Sequence, residues 1–117
     1  MSETMLSEKR CVPCEGGVPR LDRATAGEMI KQVPGWSLND DVTRVNRTFS
    51  FKSFAQAQRF ANAVAELAEA QFHHPEITFG WGFCTVMFQT RKIRGLHEND
   101  FIMAAKLNDL YEQQPSQ

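Results

Sequence analysis

Long apolar runs are missing from the sequence, and their absence excludes several classes of protein. No run approaches the ~20 apolar residues that a transmembrane helix needs, and residues 1–10 are polar, unlike a secretory signal peptide. We therefore expect a cytoplasmic protein with no membrane partner. A basic excess is missing too, since 14 acidic residues offset 13 basic ones to a net charge of −1. This balance argues against a nucleic-acid partner.

Cysteines are few, and their odd number, three, does not suggest a disulfide framework. Cys11 and Cys14 have the spacing of a metal-ligand pair, but no second pair follows them, so we expect no metal site. A redox pair is the alternative, although no strand precedes them as in thioredoxin-like folds. We interpret them as two reduced thiols, and Cys84 as a buried core thiol.

What is present is typical of a single globular domain. The 117 residues are 42% apolar and 23% charged, which are ordinary values for such a domain. We expect an irregular N-terminal arm over residues 1–24 that can fold back on the domain, one domain over residues 25–113, and a polar tail over residues 114–117.

Hydrophobic periodicity predicts an α+β fold, a four-stranded antiparallel sheet with helices packed on one face. Ser53 and Gln56 form a capping box at the start of the strongest helix, and Arg47 is the one polar residue on the apolar face of its strand. The predicted order is α-β-β-α-β-β-α. The first half is a helix over 25–32, an extended segment from Trp36, and a strand over 45–51. The second half is a helix from Ser53 to near Phe72, strands over 77–81 and 84–88 with a turn at Gly82, and a last helix from Glu98.

The candidate functional site is the run His73-His74-Pro75, where Pro75 ends the long helix. Imidazoles titrate near neutral pH, so two of them beside a cleft could give and take protons. The alternative is a pair of surface histidines that the helix dipole favours at a C-terminus. Arg91, with Lys92 and Arg94, forms a basic cluster that is either a solvated loop or a site for an anion or a carbonyl oxygen. His97 stands at the expected N-cap of the last helix.

Several separated motifs together resemble the pterin-4a-carbinolamine dehydratase family. The signature residues are Glu69, His73-His74-Pro75, Trp81 and Asp100, at that family's spacing. Residues 95–106, the Cys11–Cys14 run with the two glycines that follow it, and the Val33–Trp36 run are similar to its bacterial members. The resemblance extends from about Cys11 to Tyr111. It implies a matching fold, a homodimer or homotetramer, and dehydration of 4a-hydroxytetrahydropterin to quinonoid dihydropterin without a metal or organic cofactor.

The resemblance also implies roles for individual residues. His73 and His74 would be the catalytic acid and base, because loss of the 4a-hydroxyl needs a proton donor and the ring N–H needs a proton acceptor. Asp100 would position the site and Glu69 would support a histidine. Together with these two, the residues expected to bind or surround the pterin are Pro75, Trp81, Gln89, Thr90 and Arg91.

One position departs from the family pattern. Active members usually have a third histidine after a threonine, whereas the sequence here reads Gln89-Thr90-Arg91. Arginine stays protonated and cannot act as an acid or base. His97 could replace the missing imidazole. Alternatively, the protein is a weak or inactive relative that acts as a Rubisco assembly factor associated with α-carboxysomes, as some dehydratase-like proteins do; in animals the fold also serves as a dimerisation cofactor of a homeodomain transcription factor.

Overall fold

A computed structural model describes residues 5–12 and 18–114. The predictions for Cys14 and for residues 115–117 of the tail fall outside these ranges. The helices are α1 Arg23–Met29, α2 Phe54–Gln71 and α3 Glu98–Glu112; the strands are β1 Ser37–Leu38, β2 Val45–Ser50, β3 Glu76–Gly80 and β4 Phe83–Phe88; short 3₁₀ turns cover Leu6–Glu8, Ile30–Gln32 and Arg91–Ile93.

The predicted α+β class and element order are confirmed. The four strands pair antiparallel in the order β1-β2-β4-β3. The first helix starts at Arg23, two residues before its predicted start, because the Asp22 side chain accepts a hydrogen bond from Thr25 N at 2.8 Å and caps it. Trp81, predicted to end a strand, lies instead in the turn between β3 and β4.

One face of the sheet carries the core. Val45 and Phe49 on β2 and Val86 and Phe88 on β4 are fully buried. The ring of Phe60 on α2 contacts Phe49, with 4.7 Å between the ring centroids, and Tyr111 of α3 lies 5.0 Å from the same ring. Both long helices therefore cover this face. The side chains on the opposite face, which alternate with the core residues along each strand, are largely polar. On this face Thr48 Oγ1 of β2 lies 2.8 Å from Thr85 Oγ1 of β4.

Arg47, the polar residue on the apolar face of β2, belongs to a network centred on the amide of Asn108. The oxygen Oδ1 of Asn108 accepts hydrogen bonds from Arg47 Nη1 at 2.6 Å and from Trp36 Nε1 at 2.8 Å. Asn108 Nδ2 donates to the carbonyl of Pro34 at 3.0 Å. The guanidinium also lies 4.4 Å above the Phe49 ring. The polar groups at this end of the core are thus hydrogen-bonded to one another.

The N-terminal arm packs on the domain through residues that the structure describes. Leu6 is buried and belongs to the same core cluster as the strands and helices. None of the helices in residues 5–12 and 18–114 is long and apolar enough to cross a membrane.

Candidate active site

The end of α2 sets the direction of the two histidines. Ser53 Oγ accepts a hydrogen bond from Gln56 N at 3.1 Å and begins the helix. The helix ends at Phe72, which adopts the left-handed conformation with φ 57° and ψ 38°. His73 N then donates back to the Ala68 carbonyl at 3.1 Å, a closing pattern common at helix C-termini. Because the chain leaves the helix axis here, the side chains of His73 and His74 reach different partners.

His73 is bonded to a buried carboxylate. Its Nε2 lies 2.6 Å from Asp100 Oδ1, and the two side chains are only 10% and 0% exposed. The imidazole also stacks on the Phe88 ring at 5.8 Å with an interplanar angle of 12°. This packing and the hydrogen bond hold the ring in one orientation.

Asp100 connects three separate segments. In addition to the His73 contact, its Oδ2 accepts hydrogen bonds from Thr90 Oγ1 at 2.8 Å and from His97 N at 3.0 Å. His97 Nδ1 in turn accepts from Asn99 N at 3.0 Å, so this histidine caps α3 as predicted. Both oxygens of the Asp100 carboxylate accept hydrogen bonds, and the side chain is fully buried.

His74 makes a similar contact with a carboxylate, but this pair is exposed to solvent. Its Nε2 lies 2.6 Å from Glu69 Oε1, five residues earlier on α2, but the side chains are 54% and 72% exposed. The Phe72 ring packs edge-on against the imidazole at 5.7 Å. The chain therefore holds two histidine–carboxylate pairs, one buried and one solvated.

A cleft of about 690 Å³ opens beside these pairs. Six residues that the sequence analysis proposed for the site line it: His73, His74, Pro75, Gln89, Thr90 and Arg91. Glu69 and Asp100 are not lining residues; they stand behind the histidines, and the tertiary fold brings them together with the cleft through His74 and His73.

Trp81 lies away from this group. It is 71% exposed in the turn between β3 and β4 and is not a lining residue. Pro75 lies just before β3 and Trp81 just after it. The five residues of this strand span roughly 16 Å, so Pro75 and Trp81 stand at its opposite ends. His97 is also not a lining residue, and its Nδ1 is occupied by the α3 cap.

Arg91 faces the cleft from the end of β4 with little restraint. Its side chain is 80% exposed, and its contact with a carboxylate is long, 3.9 Å from Nη2 to Glu76 Oε2. Lys92 lines the cleft next to it. Two cations therefore line the same cleft as the histidines, and their N–H groups can donate to a polar ligand.

Sequence reasoning did not assign five residues that line this cleft, namely Cys11, Val12, Gln71, Phe72 and Asn99. Lys92 was predicted only as a member of the basic cluster that could hold an anion or a carbonyl oxygen. Burial raises the pKa of the Cys11 thiol to about 11, against the opposing effect of the Lys106 cation. The only sequence signal for the arm residues was the resemblance that begins near Cys11. Among residues 5–12 and 18–114 no group of three or more His, Cys, Asp or Glu side chains could hold a metal ion.

Fold and site together define a small α+β protein equipped for acid–base chemistry on a ligand in one cleft. The sequence model of the pterin 4 alpha carbinolamine dehydratase family matches residues 19–110, and the chain belongs to this family. A Cupriavidus pinatubonensis relative, provisionally named pterin-4-alpha-carbinolamine dehydratase 1, is 54% identical over 94% of this chain and 94% of its own. A Methylococcus capsulatus relative with the same provisional family name is 52% identical over 94% of this chain and 96% of its own.

Solved structures give the same fold. A Brucella melitensis protein described as a transcriptional coactivator/pterin dehydratase matches with a TM-score of 0.75 and 31% identity, over 80% of this chain and 99% of its own. A pterin dehydratase-like protein described as a RuBisCO assembly factor in the alpha-carboxysome matches with a TM-score of 0.57 and 26% identity, over 66% of this chain and 92% of its own.

Proposed function

We propose that this protein is a dehydratase that converts 4a-hydroxytetrahydropterin to quinonoid dihydropterin and water during recycling of the pterin cofactor. The observation that carries the proposal is the placing of two carboxylate-paired histidines, His73 with Asp100 and His74 with Glu69, beside one cleft. Membership of the family and the names of the relatives support it.

In this proposal His73 is the base. A carboxylate only accepts hydrogen bonds, so the Asp100 contact requires the proton of neutral His73 to sit on Nε2. Its Nδ1 then carries the free lone pair. This atom takes the ring N–H proton of the pterin while the C4a–O bond breaks and the ring electrons form the quinonoid double bond.

His74 is the acid. Hydroxide is a poor leaving group, so the 4a-hydroxyl departs as water after it receives the Nδ1 proton of a cationic His74, whose Nε2–H donates to Glu69 before and after the transfer. Solvent contact at His74, which is 54% exposed, allows the imidazole to regain a proton between turnovers. The pterin loses one water, and the protons gained by His73 and given by His74 balance through solvent.

The remaining cleft residues bind and orient the pterin. Arg91 and Lys92 donate hydrogen bonds to its carbonyl oxygen or to an anionic group, and Gln89 and Thr90 lie beside them. Pro75 shapes the wall next to the histidines. Trp81 stands apart from this cleft and enters the proposal through the family signature alone; an unchanged KM in Trp81→Ala would remove it from the pterin site.

Turnover of freshly generated 4a-hydroxytetrahydropterin tests the proposal. We expect the wild type to accelerate the dehydration and the variants His73→Ala and His74→Ala each to lose roughly 10²–10⁴-fold in kcat. Lys31→Ala, a change of an exposed helix residue outside the cleft, is the matched control. Equal rates for the wild type and His74→Ala would remove the catalytic proposal.

A second candidate function is assistance in Rubisco assembly. The likeness to the assembly factor and the arginine at position 91, in place of the family histidine, support it. The dehydratase proposal is stronger, because the match to the Brucella protein is better and both histidine–carboxylate pairs are intact. An inactive wild type that gains turnover through Arg91→His, together with a higher yield of assembled Rubisco when the wild type is added, would favour this candidate.

We also propose a cytoplasmic homodimer or homotetramer that needs no cofactor. Among the described residues, strand β3 is at the edge of the sheet and leaves one row of its backbone groups without a partner strand. Sedimentation of the purified protein distinguishes the two assemblies, and a monomer would contradict both.

A further inference from the structure

The N-terminal arm touches the site from outside the region that defines the family. The family match begins at residue 19, yet Cys11 and Val12 line the same cleft as His73 and His74. A loosely attached arm would leave this part of the cleft open to water, whereas an arm that is hydrogen-bonded to the domain would close it.

Val12 is fastened by two hydrogen bonds to one buried side chain. Its N–H donates to Asn99 Oδ1 at 3.0 Å, and its carbonyl accepts from Asn99 Nδ2 at 2.7 Å. Asn99 is 1% exposed. The amide thus satisfies both backbone groups of one arm residue, as a neighbouring strand would.

Further contacts hold the arm on the N-terminal side of Val12. Cys11 N donates to Gln71 Oε1 at 2.9 Å. Lys106 Nζ donates to the Ser7 carbonyl at 2.9 Å, and Lys9 Nζ lies 2.7 Å from Glu98 Oε2. Gln71 precedes His73 by two residues and Asn99 precedes Asp100 by one, so the arm bridges the two helices that carry the buried pair.

The described arm residues that line the cleft, Cys11 and Val12, carry no charge at neutral pH. The Cys11 thiol contacts the Asn99 carbonyl at 3.8 Å and stays protonated near neutral pH. The Val12 side chain is apolar and 54% exposed beside the cleft. No acid or base for proton transfer comes from this wall, whereas an apolar wall stabilises a flat heterocycle through contact and exclusion of water.

We infer that Cys11 and Val12 form a wall of the pterin cleft that governs binding of the uncharged part of the ligand, a specificity element supplied by the arm and not by residues 19–110, which the family model matches. The inference rests on the proposed function, because it takes a pterin as the ligand. Cys11 and Val12 determine KM and the affinity for a pterin, whereas the two histidines determine kcat.

Val12→Asp tests this inference by placing a carboxylate on the wall. We expect a roughly ten-fold higher KM, the low end of the effect of one lost apolar contact, with kcat changed less than two-fold. Val18→Asp is the matched control, because Val18 is also an exposed apolar arm residue but does not line the cleft. We expect it to behave as the wild type. Circular dichroism and thermal melting of both variants report folding.

Binding of 7,8-dihydrobiopterin, which carries no 4a-hydroxyl to lose, gives a second readout by titration calorimetry. We expect the Kd of Val12→Asp to rise about ten-fold relative to the wild type and to Val18→Asp. Unchanged affinity and KM in folded Val12→Asp, or a loss confined to kcat, would overturn the inference. A wild type that binds the dihydropterin without any turnover of the carbinolamine would overturn the proposed function alone, and one that binds no pterin would overturn both.

Discussion

His73 and Asp100 lie 27 positions apart in the sequence, yet His73 Nε2 and Asp100 Oδ1 meet at 2.6 Å in a sheltered position. The same carboxylate also fixes Thr90 and the start of α3. One buried group therefore determines both the orientation of the imidazole and the local structure that surrounds it.

Asp100→Asn should reverse the tautomer of His73. Oδ2 accepts from two donors, so the amide oxygen takes that position and Nδ2 donates to His73 Nε2. The proton of neutral His73 then moves to Nδ1, which can no longer act as a base. We expect kcat to fall roughly 10²–10⁴-fold, and ¹⁵N spectra of the imidazole to show the exchanged tautomer. Asp109→Asn, an exposed change on the same helix, is the control; an unaltered ¹⁵N pattern in Asp100→Asn would contradict the argument.

Glu69→Gln should have a much smaller effect, although its hydrogen bond to His74 has the same length of 2.6 Å. Both side chains are more than half exposed, so water screens the carboxylate and can replace it. We expect kcat to fall less than about ten-fold. Parallel assays of Glu69→Gln and Asp100→Asn measure the difference, and losses of equal size would show that burial does not separate the two pairs.

Arg91→Ala should change substrate binding more than the chemical step. A guanidinium cannot exchange protons near neutral pH, but it donates charge-assisted hydrogen bonds. We expect KM to rise about ten-fold and kcat to change less than about three-fold. The melting temperature should not move, because the 3.9 Å contact with Glu76 is exposed. Arg91→Lys keeps the charge, and its KM should lie between those of the wild type and Arg91→Ala. A large loss of kcat in Arg91→Ala would assign Arg91 to the chemical step instead.

Asn108→Ala should destabilise the fold without entering the cleft. The change removes the acceptor of both the Trp36 indole N–H and Arg47, and we expect the free energy of unfolding to fall by about 2–3 kcal/mol. Urea unfolding measures it. Asn108→Asp keeps an oxygen for both donors but loses the hydrogen bond to the Pro34 carbonyl, and it should lose less stability than Asn108→Ala. Equal losses in the two variants would mean that the acceptor Oδ1 is not the main contribution of Asn108.

The two described thiols should make the protein less stable in alkali. Burial raises the pKa of Cys11 and of Cys84 from 9.0 to about 11, so above pH 9 the unfolded chain loses these protons before the native one does. Their contribution to stability is complete below pH 9 and declines as the pH rises to about 11. Urea unfolding under reducing conditions should show a steeper decline for the wild type than for Cys11→Ser/Cys84→Ala. Parallel pH dependences in the two proteins would contradict this.

Local patterns predicted most of the fold. The N-cap at Ser53, the alternation along β2 and the N-cap at His97 act within a few residues of chain, so they are readable without a structure. The second bond of the predicted capping box differs, because Gln56 Oε1 accepts from Lys52 N rather than from Ser53 N. Helix α1 starts two residues before its predicted start, because the Asp22 side chain caps it. The polar character of Arg47 was visible in the sequence, but its partner Asn108 lies 61 positions away and only packing identifies it.

By itself, the sequence determined the element order, the family, and the presence of two histidines next to a proline, because these depend on residue type and short spacing. Only the tertiary structure decided that Asp100 is buried against His73 whereas Glu69 is solvated against His74, that Trp81 stands apart from the cleft, and that Cys11 and Val12 border it. Burial and long-range contact arise when distant segments pack together, and the balance of hydration and packing that decides them is a property of the whole fold.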